Sequence, residues 1–327
     1  MIQIFDPAEG KYRNWERTLE ELEHPLYYFS ASGKLKLLTF AIKCLDIAVA
    51  KKSMNVRYKA YAETPLKAAV MRNIDVRMAY SMTSLLLEHG ADVNAQGGRY
   101  GNALQAAAFK GLEEVISLLL KYGADVNACS GHYGNALQAA AYNGSEEVVS
   151  LLLKHGADVN ACGGYYGNAL QAAAYNGSEE VVSLLLKHGA DVNACGGYYG
   201  NALQAAAYNG SEEVVSLLLK HSADVNTQDR YYGNALQAAA SKGLEVVSLL
   251  LKYGADVNAQ GGYYGNALQA AILRASEQVI SLLLKHGADV NAYVGRYGNA
   301  LQAAEFMELE EIVSLLLKHG ANVNAYG

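Results

Sequence analysis

The sequence predicts an all-α repeat solenoid, in which short helix-turn-helix units each pack only on their neighbours. Two observations carry this reading. The phrase Tyr-Gly-Asn-Ala-Leu-Gln recurs with its Gly at 101, 134, 167, 200, 233, 265 and 298, spaced by 33 residues five times and by 32 once. Each copy continues through an alanine-rich segment, a turn, a Val/Leu-rich segment and a Gly-rich stretch, so one supersecondary unit is repeated along the chain.

The unit from Gly164 to Gly196 shows why each element should form. Asn168 precedes Ala169-Leu170-Gln171-Ala172-Ala173-Ala174, and an Asn side-chain oxygen can cap the orphan N–H groups of a first helical turn. The alanines favour helix and are small enough for a second helix to approach closely. Asn176-Gly177 breaks the helix. Ser178 is placed to cap the next one, and Glu179 and Glu180 lie in its first turn, where the helix dipole favours negative charge. Val181, Val182, Leu184, Leu185 and Leu186 supply a wide apolar face. Lys187 and His188 close the helix, and Gly189 can take the left-handed conformation beyond it. The polar, Gly-rich stretch from Ala190 to Tyr199 reads as an extended turn into the next unit.

About nine repeats are expected, the first two degenerate. Residues 1–23 read as a polar lead-in. Residues 24–97 hold the degenerate pair, one over 24–59 with His24-Pro25-Leu26-Tyr27 at its helix start and an atypical one over 60–97. Seven regular repeats follow over 98–327. Two departures fall together: Ser222 replaces the Gly after a second helix, and Ser241-Lys242-Gly243-Leu244-Glu245 is one residue short between helices. A Cβ in the left-handed region costs roughly 1 kcal/mol, so a weak joint is expected near 222–246. The last repeat is crowded with Glu305, Glu308, Glu310 and Glu311, which suits the polar outer face of a terminal unit.

Composition excludes several function classes. The net charge is −6 and no basic stripe runs along the chain, which argues against nucleic acid. With no charged-then-apolar leader and no apolar run near ~20 residues, the expectation is a soluble intracellular protein, cytoplasmic or nuclear, with no membrane partner. Cys129, Cys162 and Cys195 occupy one slot in successive repeats. Stacked helical units lie about 8–10 Å apart, beyond the ~7 Å a disulfide spans between Cα atoms, so a ladder of reduced thiols is expected. The same spacing separates His89, His155, His188, His221, His286 and His319, which therefore read as helix-end charge and not as metal ligands. The Glu pairs 146–147, 179–180 and 212–213 read as dipole partners. No catalytic, cofactor or metal site is expected. Ser32-Gly33-Lys34-Leu35 lacks the upstream Gly and the Ser/Thr after Lys that a phosphate-cradling loop needs, and reads as a turn.

The turn, the Leu-Leu-Leu run and the Gly-Ala-Asp-Val-Asn-Ala segment closely resemble the ankyrin repeat, with Asn-Ala-Leu-Gln standing where that family has Thr-Pro-Leu-His. Thr64-Pro65-Leu66-Lys67 keeps more of the usual form. The Gly-Tyr-Tyr-Gly-Asn-Ala-Leu-Gln wording, with Phe5-Asp6-Pro7, Trp15-Glu16 and His24-Pro25-Leu26-Tyr27-Tyr28 ahead of it, also resembles ankyrin arrays of filamentous fungi that follow a NACHT-type NTPase module. The resemblance implies a non-enzymatic, monomeric scaffold that binds a protein partner on a concave, Tyr-rich face. The alternative it implies is the ligand-sensing arm of a larger NACHT-type signalling protein. The second Tyr of each pair, Tyr100, Tyr133, Tyr166, Tyr199, Tyr232, Tyr264 and Tyr297, never varies and is expected to be structural. The variable positions are expected to face the partner: Arg99, Phe109, His132, Tyr142, Tyr165, Tyr175, Tyr198, Tyr208, Tyr231, Tyr263 and Arg296.

Overall fold

The computed structural model describes residues 3–6, 11–14, 26, 29–30, 33–44, 55, 64–72 and 75–324. The chain forms two compact units, Met1–Asp158 and Val159–Gly327. In the first, strands β1 (Gln3–Asp6) and β2 (Lys11–Asn14) pair antiparallel, with Ile4 opposite Arg13. They lie within the segment read from sequence as a polar lead-in. Pro7, Trp15, Glu16, His24, Pro25, Tyr27 and Tyr28 lie outside the described residues. Leu26 and Phe29 are helical and fully buried, and Gly33-Lys34 turns into α1 (Leu35–Cys44). The remaining helices are α2 (Pro65–Arg72), α3 (Val76–Glu88), α4 (Ala103–Phe109), α5 (Glu113–Lys121), α6 (Ala136–Asn143) and α7 (Glu146–Lys154). Helices pair as α2/α3, α4/α5 and α6/α7, while α2, α4 and α6 stack on one side and α3, α5 and α7 on the other.

The second unit repeats the scheme. Its helices are α8 (Ala169–Asn176), α9 (Glu179–Lys187), α10 (Ala202–Asn209), α11 (Glu212–Lys220), α12 (Ala235–Ala240), α13 (Leu244–Lys252), α14 (Ala267–Ile272), α15 (Glu277–Lys285), α16 (Ala300–Phe306) and α17 (Glu310–Lys318). The first helices of the pairs, α8 to α16, pack in sequence, as do α9, α11, α13 and α15. Each unit is thus a solenoid-like stack of helix pairs, as the period predicts.

Helices of six to nine residues are too short to persist alone, so burial must hold them. Ala172, Ala173 and Ala174 of α8 are fully buried, as are Val181, Val182 and Leu185 of α9. The Asn caps form as expected: the Asn168 side chain accepts from the Gln171 N–H at 2.8 Å. The serine caps largely do not. Ser211 accepts from Val214 N–H at 3.4 Å, but Ser145, Ser178 and Ser276 make no such bond. The Ser178 hydroxyl turns instead toward the Glu180 carboxylate at 3.5 Å.

Two side chains per repeat fasten it to the next one. The Asn of the Ala-Asp-Val-Asn segment bridges two backbone groups one repeat along. Asn160 accepts from Asp191 N–H at 2.9 Å and donates to the Gly189 carbonyl at 3.1 Å. Asn94, Asn127, Asn193, Asn226, Asn258 and Asn291 do likewise. The second fastener is the buried Gln of Asn-Ala-Leu-Gln, whose role sequence reasoning missed. Gln204 accepts from Asn201 N–H at 2.9 Å, closing a capping box, and its amide donates to the Gly233 carbonyl of the next hairpin at 2.8 Å. The Gly ahead of it must stay Gly: Gly200 has φ +83, and a Cβ there would sit 2.1 Å from Gln204 Oε1. In the atypical repeat the buried Lys67 fills the Gln slot and donates to the carbonyls of Gly97 and Gly101.

The departures appear where the sequence places them. Ser222 has φ +66, and Ala275 and Glu308 also take left-handed backbone at slots held by Gly in other repeats. The deletion follows Ala240, where α12 ends. Gly243 is extended at φ −166, where regular repeats carry a left-handed Gly such as Gly210 at φ 89.

Two outcomes follow for urea unfolding. Ser222→Gly should stabilise the chain by about 0.5–1 kcal/mol, because it removes a Cβ from left-handed backbone. Gln204→Ala should cost more than Asn193→Ala. The Gln change removes three bonds in buried or half-buried surroundings, to the Asn201 N–H and to the Thr227 and Gly233 carbonyls, for a loss of roughly 1–3 kcal/mol in all, whereas the exposed groups freed by losing Asn193 can turn to water, leaving a loss of about 1 kcal/mol. An equal effect of the two changes would contradict this ranking.

Candidate functional site

The hairpins and the ends of the first helices carry stacked aromatic rings. In the second unit, three columns form because equivalent residues recur once per repeat. An outer column runs Tyr165, Tyr198, Tyr231 and Tyr263, with successive ring centroids 4.8, 4.7 and 6.3 Å apart. An inner column runs Tyr166, Tyr199 and Tyr232, at 6.2 and 5.6 Å. The helix-end residues Tyr175 and Tyr208 form the third at 6.4 Å, and each packs on the inner column, Tyr175 lying 4.5 Å from Tyr199 and Tyr208 lying 4.9 Å from Tyr232. The first unit has the same arrangement on a smaller scale. Tyr100 stacks on Tyr133 at 6.0 Å, Phe109 on Tyr142 at 6.1 Å, and both Phe109 and Tyr142 flank Tyr133.

The backbone sets this register. The hairpin N–H of Tyr198 donates to the Tyr165 carbonyl at 2.8 Å, and that of Tyr263 to the Tyr231 carbonyl at 2.7 Å. In the first unit His132 N–H donates to the Arg99 carbonyl at 2.7 Å. Where the repeat departs from the Gly-Gly hairpin, Asp229 takes over: its carboxylate accepts from the N–H groups of Tyr231 and Tyr232 at 2.6 and 3.3 Å.

Burial divides the columns. Of the invariant tyrosines, Tyr133, Tyr166, Tyr199 and Tyr232 are buried, whereas Tyr100, Tyr264 and Tyr297 are half-buried. Tyr142, Tyr165, Tyr175, Tyr198 and Tyr208 are half-buried, whereas Tyr231 and Tyr263 are 45% and 52% exposed. The phenol groups bond to one another, Tyr199 with Tyr165 and Tyr175, and Tyr198 with Tyr231 and Tyr232. Burial pushes the Tyr133 phenol up to about 12, helped by the neighbouring Tyr142 and Tyr100. Burial raises Tyr199 and Tyr232 further, with hydrogen bonds to Tyr175 and Tyr198 adding to it. Burial also lowers the His132 imidazole, and the Arg99 charge acts in the same direction.

Apart from Arg296, the variable positions named from sequence lie along or beside aromatic columns in each unit. Arg99 is exposed beside His132 and Tyr133. Arg296 stands apart from the columns, lining a shallow hollow of about 450 Å³ with Tyr293, Tyr297, Gln302 and Phe306. Sequence reasoning missed Lys242, whose ammonium sits 4.3 Å from the centre of the Tyr208 ring. A signal existed: the same slot holds Asn143, Asn176 and Asn209 in three repeats but a cation, Lys110 or Arg274, in two others. Cys129, Cys162 and Cys195 are exposed free thiols. Among the described residues no group of three or more His, Cys, Asp or Glu could hold a metal ion.

A family model described as ankyrin repeats (three copies) matches residues 26–130, 104–195, 194–261 and 236–326. The chain belongs to the ankyrin-repeat family. No match to it is found among curated proteins. Ankyrin repeats generally mediate protein–protein interaction and are generally non-enzymatic. Among the described residues no helix of this ankyrin array is long and apolar enough to cross a membrane.

The raised phenols set an alkaline limit on stability. A Tyr whose folded pKa exceeds its unfolded value stabilises the fold fully below the unfolded value, and that contribution is lost as pH rises through the folded one. For Tyr133 the window opens at the ordinary 10.0 and closes at about 12. Phenolate absorbance is therefore expected to show a group of tyrosines that stay neutral until about pH 12 or until unfolding, and the melting temperature should fall above about pH 10. Ionisation of all tyrosines in one step near pH 10, with the fold intact, would contradict this.

Proposed function

We propose that this ankyrin array is a non-enzymatic scaffold that docks a partner protein on its Tyr-rich face. The observation that supports the reading most is the exposed outer edge of a pre-stacked column, Tyr231 and Tyr263, whose rings stack on each other and pack edge-on against Tyr232 and Tyr264. Tyr offers large contact area and a polar tip at low entropy cost. Rings already locked by stacking and phenol hydrogen bonds lose little further freedom when a partner arrives.

The columns also fix which residues can test the reading. Tyr175 and Tyr208 pack on the buried column, and an aromatic pair contributes about 0.5–1.5 kcal/mol beyond its area, so truncating them would disturb the array itself. Tyr231 and Tyr263 are better probes because they are the most exposed rings of the columns, at 45% and 52%, and lose the least burial when truncated. Tyr231→Ser with Tyr263→Ser is expected to abolish capture of the cellular partner while leaving the melting temperature within a few degrees of the parent. Undiminished capture would remove this face from consideration.

A second reading is a recognition arm of a larger NACHT-type signalling protein. It is supported by the identity of the repeat beginning at Gly164 with the one beginning at Gly197 up to Ser222, a mark of recent duplication. The intact mass of the endogenous protein decides between them. A species near 35.0 kDa favours the scaffold, and a much larger one carrying these peptides favours the arm.

A further inference from the structure

The Tyr-rich face differs from the rest of the array in charge. Residues 159–327 are strongly acidic, with nine Lys and Arg against fifteen Asp and Glu. The acids concentrate in the first turns of second helices, as at Glu179, and in the Ala-Asp loops, as at Asp191. Five of the cations are the Lys residues that end the second helices, from Lys187 to Lys318. The other four, Arg230, Lys242, Arg274 and Arg296, all fall on the hairpins or just after the first helices, the rows that carry the aromatic columns. All four are exposed, and among the described residues none is paired with a carboxylate. Lys242 lies over the Tyr208 ring, Arg230 precedes Tyr231, and Arg296 shares its hollow with Tyr293 and Phe306.

The acids on these rows are few. Asp229 directs a carboxylate oxygen to its own hairpin backbone, and Glu305 and Glu308 both stand in the last repeat. The first unit shows the same bias independently. Between Gly98 and Lys110, and between Ser130 and Asn143, the formal charges are Arg99 and Lys110 and no acid is present, although the Lys110 ammonium already donates to the Val70 and Met71 carbonyls. The exposed cations Arg230, Lys242, Arg274 and Arg296, gathered on these rows of an otherwise acidic surface, draw negative charge to this face.

We propose that the Tyr-rich face takes an extended acidic segment of a partner protein, its carboxylates meeting Arg230, Lys242, Arg274 and Arg296 and its remaining atoms lying against the ring edges. This rests on the reading of that face as the docking surface. Ring edges carry partial positive charge and phenol hydroxyls can donate, so the neutral part of the face favours carboxylates as well.

The test uses the full chain and fluorescent peptides of about twenty residues, one alternating Glu with Leu, one Gln with Leu and one Lys with Leu. Single-stranded RNA of matching charge serves as a fourth probe. Two variants lose the same charge at different places: R230Q/K242Q/R274Q/R296Q on the face, and K187Q/K220Q/K252Q/K285Q at the ends of second helices. The Glu peptide should bind most tightly and weaken with salt, and the face variant should lose about tenfold or more in affinity while the helix-end variant stays near the parent. Equal loss in the two variants, equal binding of the Glu and Gln peptides, or tighter binding of RNA than of the Glu peptide would overturn the proposal. Failure of the docking-face reading looks different. If Tyr231→Ser/Tyr263→Ser leaves binding of every peptide unchanged, the face itself is wrong, whereas equal Glu and Gln binding that this variant abolishes removes only the charge preference.

Discussion

Everything in this array depends on one side chain that completes the backbone of a neighbour. The Asn of Ala-Asp-Val-Asn accepts from one backbone N–H and donates to one carbonyl in the following repeat, as Asn160 does with Asp191 and Gly189. The loop that receives these bonds has no regular secondary structure to satisfy them. Its conformation is therefore defined only when the preceding repeat is in place. A buried Gln of the first helix, as at Gln204, imposes the same condition on the following hairpin, and the fully buried alanines let the helices come close enough for both bonds to form.

That coupling explains the aromatic columns. Once consecutive hairpins are held in one register, a Tyr at a fixed slot meets its own copy in the next repeat at stacking distance. A single Tyr-Tyr pair contributes little, but the columns multiply it and add phenol hydrogen bonds that a lone hairpin could not make. The same regularity puts the outer rings at the surface as an ordered row. The face is thus a product of the fastening, and its order does not require a partner.

Much of this was legible in the sequence because periodicity reports on repeated surroundings. The helix pairs, the Asn cap at Asn168 and the buried role of Tyr166, Tyr199 and Tyr232 follow from which letters never change. Single-repeat reasoning reached less far where a residue acts on the next unit. Gln171 and Gln204 read as ordinary helix residues until the structure places their amides on the following hairpin. The expected cap at Ser178 fails for a local reason, since its hydroxyl faces the Glu180 carboxylate. Lys242 lies a full repeat along the chain from Tyr208, and only the repeat register brings its ammonium over that ring. The strands β1 and β2 carry no repeat, so the strongest signal in the sequence was silent about them.

The most direct test is amide hydrogen exchange at Asp191, Asp224, Asp256 and Asp289. These residues are exposed and lie outside helices and strands, yet each N–H is bonded to an Asn of the preceding repeat at 2.8–2.9 Å. Their exchange should be slowed by about tenfold or more, the equivalent of about 1.4 kcal/mol, relative to loop amides such as that of Cys195. Exchange at the rate of an unprotected loop would contradict the account, because it would mean that the repeats stack without the side chain said to join them.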